Sequence, residues 1–194
     1  MGHRSREIES KLVVKSNIDL NMANVLLDEL FGTDKDKLLF GSSADTYWTV
    51  SDPGVSADFA RMRERDGIRQ LTVKGKDKGN NLDRIEIDID CTSEPRDIIK
   101  FFTALLGKSV GKVGKTYYVY WITKSEHDTV CCYTVRSGEA DHPNVFIEVE
   151  ATTTEKMLDM EKRVIDKFVE KGYAIERAPG SLYEMFVIKK FGDM

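Results

Sequence analysis

The sequence predicts an α+β fold: a closed antiparallel eight-stranded β-barrel with three amphipathic helices packed outside it. Two patterns carry this. Segments that alternate polar and apolar residues recur along the chain, and between them lie segments whose apolar residues return every three or four positions. A third observation bears on closure. The polar positions of the strands hold pairs of full charges two residues apart, where a solvated sheet face usually mixes Thr, Ser and Gln.

Each element has its own signal. Arg6 to Val14 alternates, with Glu7, Glu9 and Lys11 on one face and Ile8 and Leu12 on or near the other. Asn17 or Asp19 can cap a helix through Leu20, Val25, Leu26, Leu27 and Leu30 that Gly32 ends, and a charged loop, Thr33 to Lys37, follows. Strands resume at Ser43 to Val50 and, after an Asp52-Pro53-Gly54 turn, at Asp58 to Glu64. Arg69 to Lys76 alternates again, Lys78-Gly79-Asn80-Asn81 turns the chain, and Arg84 to Asp90 places Arg84, Glu86, Asp88 and Asp90 opposite Ile85, Ile87 and Ile89. Ser93 with Glu94-Pro95 opens a helix through Ile98, Ile99, Phe102 and Leu105, closed by Gly107. Two aromatic-rich strands, Lys112 to Thr123 and Thr129 to Val135, lead through a polar loop, Arg136 to Asn144, into a strand at Val145 to Ala151. A helix over Thr154 to Lys171 ends at Gly172, and the tail returns through Ala174 to Arg177, a Pro179-Gly180 turn and an apolar piece around Tyr183 to Ile188.

Composition narrows the classes. With 194 residues, 41% of them hydrophobic and 32% charged, the chain can bury its own core, and residues 1–194 read as one domain. A net charge of −4 with both signs plentiful argues against a nucleic-acid binder working by bulk charge and against a membrane-surface protein. The aromatics Tyr117, Tyr118, Tyr120 and Trp121 are read as strand packing rather than an RNA-stacking platform. Met1 to Lys11 has no apolar leader pattern and no later run nears the roughly 20 residues of a membrane span, so a cytoplasmic protein, monomer or homodimer, is expected. Three cysteines, two of them adjacent at Cys131 and Cys132, read as buried thiols, not a disulfide framework. His3, His127 and His142 lack the spacing of a zinc site or a catalytic triad and are expected to face solvent.

The charged faces carry the functional reading. Taken singly, each is compatible with a solvated outer surface. Taken together, Glu7, Glu9, Glu86, Asp88, Glu148 and Glu150 would meet Lys11, Arg61, Arg63, Lys74, Lys76, Arg84 and Lys115 inside a barrel whose apolar faces point outward under the helices. Desolvating so many charges costs several kcal/mol per ion unless partners compensate. A polyphosphate would supply oxygens to the bases, and hard divalent cations would supply partners to the acids.

The order of these residues resembles the CYTH superfamily, the triphosphate tunnel metalloenzymes. Glu7-Ile8-Glu9-Ser10-Lys11 looks like its ExExK signature, and Asp45-Thr46-Tyr47-Trp48, Arg61-Met62-Arg63, Leu71-Thr72-Val73-Lys74-Gly75, Arg84-Ile85-Glu86-Ile87-Asp88 and Glu148-Val149-Glu150 are similar to its later motifs. Ser181-Leu182-Tyr183 resembles a Ser-x-Tyr of class IV adenylate cyclase-like members. Two places depart from the pattern: Lys115-Thr116-Tyr117 stands where many members have Lys-x-Arg, and Cys131-Cys132-Tyr133 where they carry an aspartate.

The resemblance implies a metal-dependent triphosphatase acting on a small triphosphate, with Mg²⁺ or Mn²⁺ as cofactor. A class IV adenylate cyclase and a non-catalytic nucleotide or polyphosphate module are the alternatives. Glu7, Glu9, Glu148 and Glu150 are the expected metal ligands, while Glu86 and Asp88 orient the bases or bind a second ion. Lys11, Arg61, Arg63, Lys74, Lys76, Arg84 and Lys115 are the expected phosphate contacts. By resemblance to thiamine triphosphatases, Tyr47 and Lys74 would form a catalytic dyad that activates water.

Overall fold

The computed structural model describes residues 3–32, 38–50, 57–75, 83–123, 128–138 and 140–190. Alternation sets the first strand, β1 (His3–Val14), whose Leu12 and Val14 turn to an apolar cluster under helices while Glu9 and Lys11 turn the other way. Helix α1 (Leu20–Phe31) starts at Asp19, whose carboxylate accepts a 2.7 Å bond from the Met22 N–H; this decides between the two expected caps. The chain continues as β2 (Leu38–Thr49), β3 (Ala57–Arg65), β4 (Ile68–Gly75) and β5 (Asp83–Cys91). Helix α2 (Pro95–Leu106) has proline at its first position, where the missing N–H has no intrahelical partner to lose. Then come β6 (Gly111–Thr123), β7 (Asp128–Ser137), β8 (Ala140–Asp141), β9 (Val145–Ala151), α3 (Thr154–Glu170), β10 (Ile175–Arg177) and a π-helical turn (Tyr183–Val187).

Among the described residues, the ten strands belong to one antiparallel sheet. Nine follow the path β10-β1-β5-β4-β3-β2-β6-β7-β8, and β9 lies off it, pairing with both β1 and β7. The expected closed eight-stranded barrel is corrected in count: ten strands pair among the described residues, the short β10 and β8 end the path, and the pairings of β9 link its β7 limb back to β1. The reason is length. β5 pairs only residues 3–8 of the long β1, leaving the edge at 12–14 to β10. Likewise β9 pairs residues 129–133 of β7 and leaves 136–137 to β8, so the expected polar loop contains a short strand. β9, bridging two limbs of the path, curls the sheet around an inner face.

Helices α1 and α3 cover the outer face of β1, β6, β7 and β9. Met157, Met160, Val164 and Phe168, spaced along one face of α3, meet Leu12, Ile147 and Val149. Helix α2 covers β2 and β3, with Phe102 stacked on the fully buried Trp48 at 5.0 Å. The tail differs from the plain apolar piece expected: Ser181 and Glu184 cap each other's N–H groups at 2.9 and 3.2 Å and start the π-helical turn. Its Tyr183 stacks on Phe59 at 4.8 Å and shares a 2.7 Å hydrogen bond with Thr49. The turn thereby closes one end of the inner face over an apolar floor that includes Val13, Tyr47, Phe59 and Phe146.

His142 is a second correction. Rather than standing free in solvent, it packs against Phe146 and Phe186 at 5.5 and 5.1 Å, and its Nδ1 accepts from the Asn144 N–H. The cysteines are free, but Cys132 alone is fully buried; Cys91 and Cys131 are partly exposed. Strand alternation explains the neighbours, since Cys132 points under the helices and Cys131 to the inner face. The expected turns at 52–54 and 78–81 lie outside the described residues. Among the described residues no helix is long and apolar enough to cross a membrane.

Candidate functional site

The alternating charges converge on one cavity of about 230 Å³ on the inner face. Strand register explains the convergence, because residues directly opposite in an antiparallel ladder share a face. Glu9 stands opposite Glu150 and Lys11 opposite Glu148 across β1 and β9. Asp45 faces Arg63, and Tyr47 faces Arg61, across β2 and β3. Lys74 faces Glu86, and Thr72 faces Asp88, across β4 and β5.

Acids and bases are interleaved. Arg61 bonds Thr72 at 3.0 Å and Glu86 at 3.3 Å, and Thr72 in turn donates to Asp88 at 2.6 Å. Lys74 lies 3.1 Å from Glu86 and 3.9 Å from Glu9. Lys11 pairs closely with Glu148 and lies 3.8 Å from Glu9. Lys115 reaches the other oxygen of Glu148 at 3.4 Å.

Burial makes these pairings consequential. Burial opposes charge on the Lys11 ammonium, but Glu148 and then Glu9 hold its pKa above the ordinary value. For Lys115 burial outweighs Glu148 and the pKa falls. Burial also works against the Glu148 carboxylate, yet Lys11 and Lys115 keep it well below the usual carboxylate range. Every cation with a described side chain here has an acid beside it, so the ligand-free cavity is balanced internally.

Other predicted residues are placed only in part. Glu7 and Arg84 stand opposite one another in the register of β1 and β5, which puts them on one face at the backbone level. Lys76 lies outside the described residues. The Tyr47 hydroxyl donates to Asp45 at 3.2 Å, and burial, reinforced by that carboxylate, pushes its pKa up. Its ring packs against Phe59 and Tyr183 in the apolar floor.

Sequence reasoning assigned no role to four residues the cavity uses. Asp45 is 1% exposed and grips Arg63 through two 2.8 Å bonds. Thr72 links Arg61 to Asp88, and Thr129 and Cys131 line the wall. The sequence signals for Asp45 were its place in the Asp45-Thr46-Tyr47-Trp48 run and its position on the same strand face as Tyr47. Burial, and after it the Glu148 charge, pushes the Cys131 thiol up to about 12, so it remains protonated at neutral pH.

The acids fit a hard divalent ion shared with a ligand better than a closed protein cage. Among the described residues no three His, Cys, Asp or Glu gather closely enough to hold a metal by themselves. Mg²⁺ usually takes one or two carboxylates together with phosphate oxygens and water. The opposed Glu9 and Glu150, both on the cavity wall, offer such a pair.

No family model and no curated protein matches the chain by sequence. Solved structures do match in fold. The chain is similar to the PH1012 protein of Pyrococcus horikoshii, with a TM-score of 0.60, 20% identity, and coverage of 81% of this chain and 89% of that one. It is similar also to the proposed adenylyl cyclase HpAC1 of Hippeastrum, described as having a dominant triphosphatase activity: TM-score 0.63, 16% identity, and coverage of 93% and 94%. A proposed adenylate cyclase of Bacillus halodurans gives 0.60 at 15% identity, with coverage of 98% and 99%. The chain shares the fold of these structures.

Proposed function

We propose that the cavity binds a small triphosphate, inorganic or organic, together with Mg²⁺ or Mn²⁺, and hydrolyses its terminal anhydride. The observation that carries this reading is the density of opposed charge: Arg61, Arg63, Lys74 and Lys115 line one cavity with Glu9, Glu86, Asp88, Glu148 and Glu150. Such a wall is a poor way to build a stable core and a suitable way to hold a polyanion with cations. The triphosphatase activity ascribed to HpAC1, which has the same fold, supports the same reading.

In this proposal Lys11, Arg61, Arg63, Lys74 and Lys115 take phosphate oxygens, the arginines through planar forks and the lysines as compact charges. Lys76 and Arg84 extend the same clamp. Glu9, Glu150, Glu148 and Glu7 hold the divalent ion, which when bound would offset phosphoryl charge and lower the pKa of a coordinated water. Glu86 and Asp88 orient the bases: Glu86 touches both Arg61 and Lys74, and Asp88 fixes Thr72 beneath Arg61. Water adds to the terminal phosphorus, the bridging P–O bond breaks, and the products are a diphosphate compound and phosphate. Tyr47 holds Asp45 and so steadies Arg63; a phenol with a raised pKa that donates to a carboxylate is no base at neutral pH.

The test is to incubate the protein with tripolyphosphate, thiamine triphosphate or ATP, each with Mg²⁺ or Mn²⁺, and to resolve the products. Metal-dependent phosphate release is expected. Cyclic AMP with pyrophosphate from ATP, or tight binding without turnover of any of the three, would overturn the hydrolytic reading.

A further inference from the structure

Among the described residues the apolar floor closes one end of the charged cavity. Tyr47, Phe59, Phe146, Leu182 and Tyr183 are each at most 6% exposed there, and a polyanion cannot pass such packing without losing its hydration. Whatever is joined to a bound phosphate chain therefore leaves at the opposite end. There the ladder leads into a second cavity, of about 270 Å³. On β3 and β4, Arg63 stands opposite Gln70, and both line the charged cavity; the next rung on the same face, Arg65 opposite Ile68, lines the second. Two such rungs are about 7 Å apart. Across β2 and β6, Ser43 of the second cavity stands opposite Lys115 of the first. The two cavities adjoin along the same strands.

Their chemistry differs. The second cavity is framed by the β3–β4 hairpin, whose central residues Asp66 and Gly67 have φ of 51° and 76°, the left-handed pair that a tight two-residue turn requires. Its wall is thus set by the backbone. Ile68, 57% exposed, gives it an apolar face, and Arg65 gives it a planar cation. Burial raises the Tyr117 phenol pKa and the Arg65 charge opposes the rise, which sets Arg65 beside β6 on the inner side. Arg69 is committed elsewhere, to the Ser93 carbonyl at 3.0 Å and to Glu64 at 3.7 Å. With Glu64 and Asp66 balancing Arg65 and Arg69, the cavity does not extend the phosphate clamp. An apolar face, a planar guanidinium and a carboxylate acceptor suit a flat ring with N–H donors. About 150 Å³ is enough for benzene, so the space admits a larger ring.

We infer that this second cavity binds the organic group of the substrate, a nitrogen heterocycle carried at the far end of the triphosphate, with its ring against Ile68 and Arg65 and its N–H donors turned to Asp66 and Ser43. The inference rests on the triphosphate reading and narrows it from triphosphates in general to those of nucleoside type. The terminal phosphoryl then lies innermost and the chain runs outward past Arg63, the orientation that hydrolysis of the terminal anhydride requires.

Ile68→Ser removes the apolar face at an exposed position and leaves the Asp66-Gly67 turn intact. Phosphate release is measured from ATP and from tripolyphosphate, each with Mg²⁺, and the readout is the ratio of the two kcat/KM values, which does not depend on the fraction of protein folded. The wild type is expected to favour ATP, and the variant to lower the ratio about tenfold, because only ATP carries a ring that can lose this contact. An unchanged ratio, or a wild type that favours tripolyphosphate, overturns the inference and leaves the triphosphate reading standing. Release from neither substrate overturns the triphosphate reading, and the inference with it.

Discussion

Asp45→Asn tests whether the cavity is organised by buried charge pairs. The Asp45 side chain is 0% exposed and that of Arg63 is 23% exposed, and both of their bonds are 2.8 Å. Asparagine keeps the shape and one acceptor but removes the charge, leaving Arg63 and the nearby Arg61 without their shared counter-ion. Removing one partner of a buried pair costs about 3–5 kcal/mol, and the partial exposure of Arg63 points to the lower end. At about 2–4 °C per kcal/mol for a chain of this size, the midpoint should fall by about 6–12 °C. Urea unfolding near neutral pH measures the loss, and an unchanged m-value would show that the unfolded state is the same. The sign with pH is fixed. The Arg63 and Arg61 guanidiniums hold the Asp45 carboxyl below its ordinary value against the opposing effect of burial. Its contribution is therefore complete above the unfolded value of about 3.9 and lost as pH falls through the folded one, so the gap between wild type and variant should be flat near neutrality and shrink below about pH 4. A loss under about 1 kcal/mol would put the pair with solvent-screened surface bridges and refute the reasoning.

Two further outcomes follow from the same geometry. Glu9→Gln, which removes a carboxylate lying within 4 Å of both Lys11 and Lys74, should lower metal-dependent phosphate release at least a hundredfold while leaving the unfolding midpoint within a few degrees; unchanged turnover would remove Glu9 from the mechanism. Tyr47→Phe should retain turnover within about tenfold, since the hydroxyl serves Asp45 rather than water; a loss beyond about a thousandfold would reinstate the phenol as the activating group.

The periodic part of this fold could be read from the residues. Glu7, Glu9 and Lys11, or Glu86 and Asp88, occupy one strand face whatever the partner strand is, because alternation is local. What that face looks at is not local. It depends on β9, far along the chain, pairing with both β1 and β7, and no pattern within Val145 to Ala151 announces two neighbours. The two- and three-residue strands β8 and β10 are too short to show any period. The tail did carry a signal, since Ser181 and Glu184 have the spacing of a reciprocal cap, but the apolar run at Tyr183 to Ile188 dominated the reading. Asp45 was visible as a residue and illegible as a site, because its partner Arg63 is brought opposite only by the register of β2 and β3.

Internal balance has a consequence for how ligands enter. Lys11 and Lys115 cannot turn to a phosphate without loosening their hold on Glu148, and Arg61 and Lys74 cannot do so without loosening theirs on Glu86. A triphosphate arriving alone would leave buried carboxylates uncompensated, and a divalent ion arriving alone would leave buried ammonium and guanidinium groups facing added positive charge. Each ligand therefore supplies the counter-charge that the other displaces, and the two should bind with positive coupling. Because coupling is reciprocal, the factor by which Mg²⁺ tightens tripolyphosphate must equal the factor by which tripolyphosphate tightens Mg²⁺. Calorimetric titrations in both orders, corrected for the metal–tripolyphosphate complex that forms in solution, should give a factor of about ten or more. It should shrink in Glu9→Gln, where one displaced carboxylate is already missing. Equal affinities with and without the partner ligand would show that the charge pairs stay intact on binding, and would place the phosphate elsewhere than among Lys11, Arg61, Lys74 and Lys115.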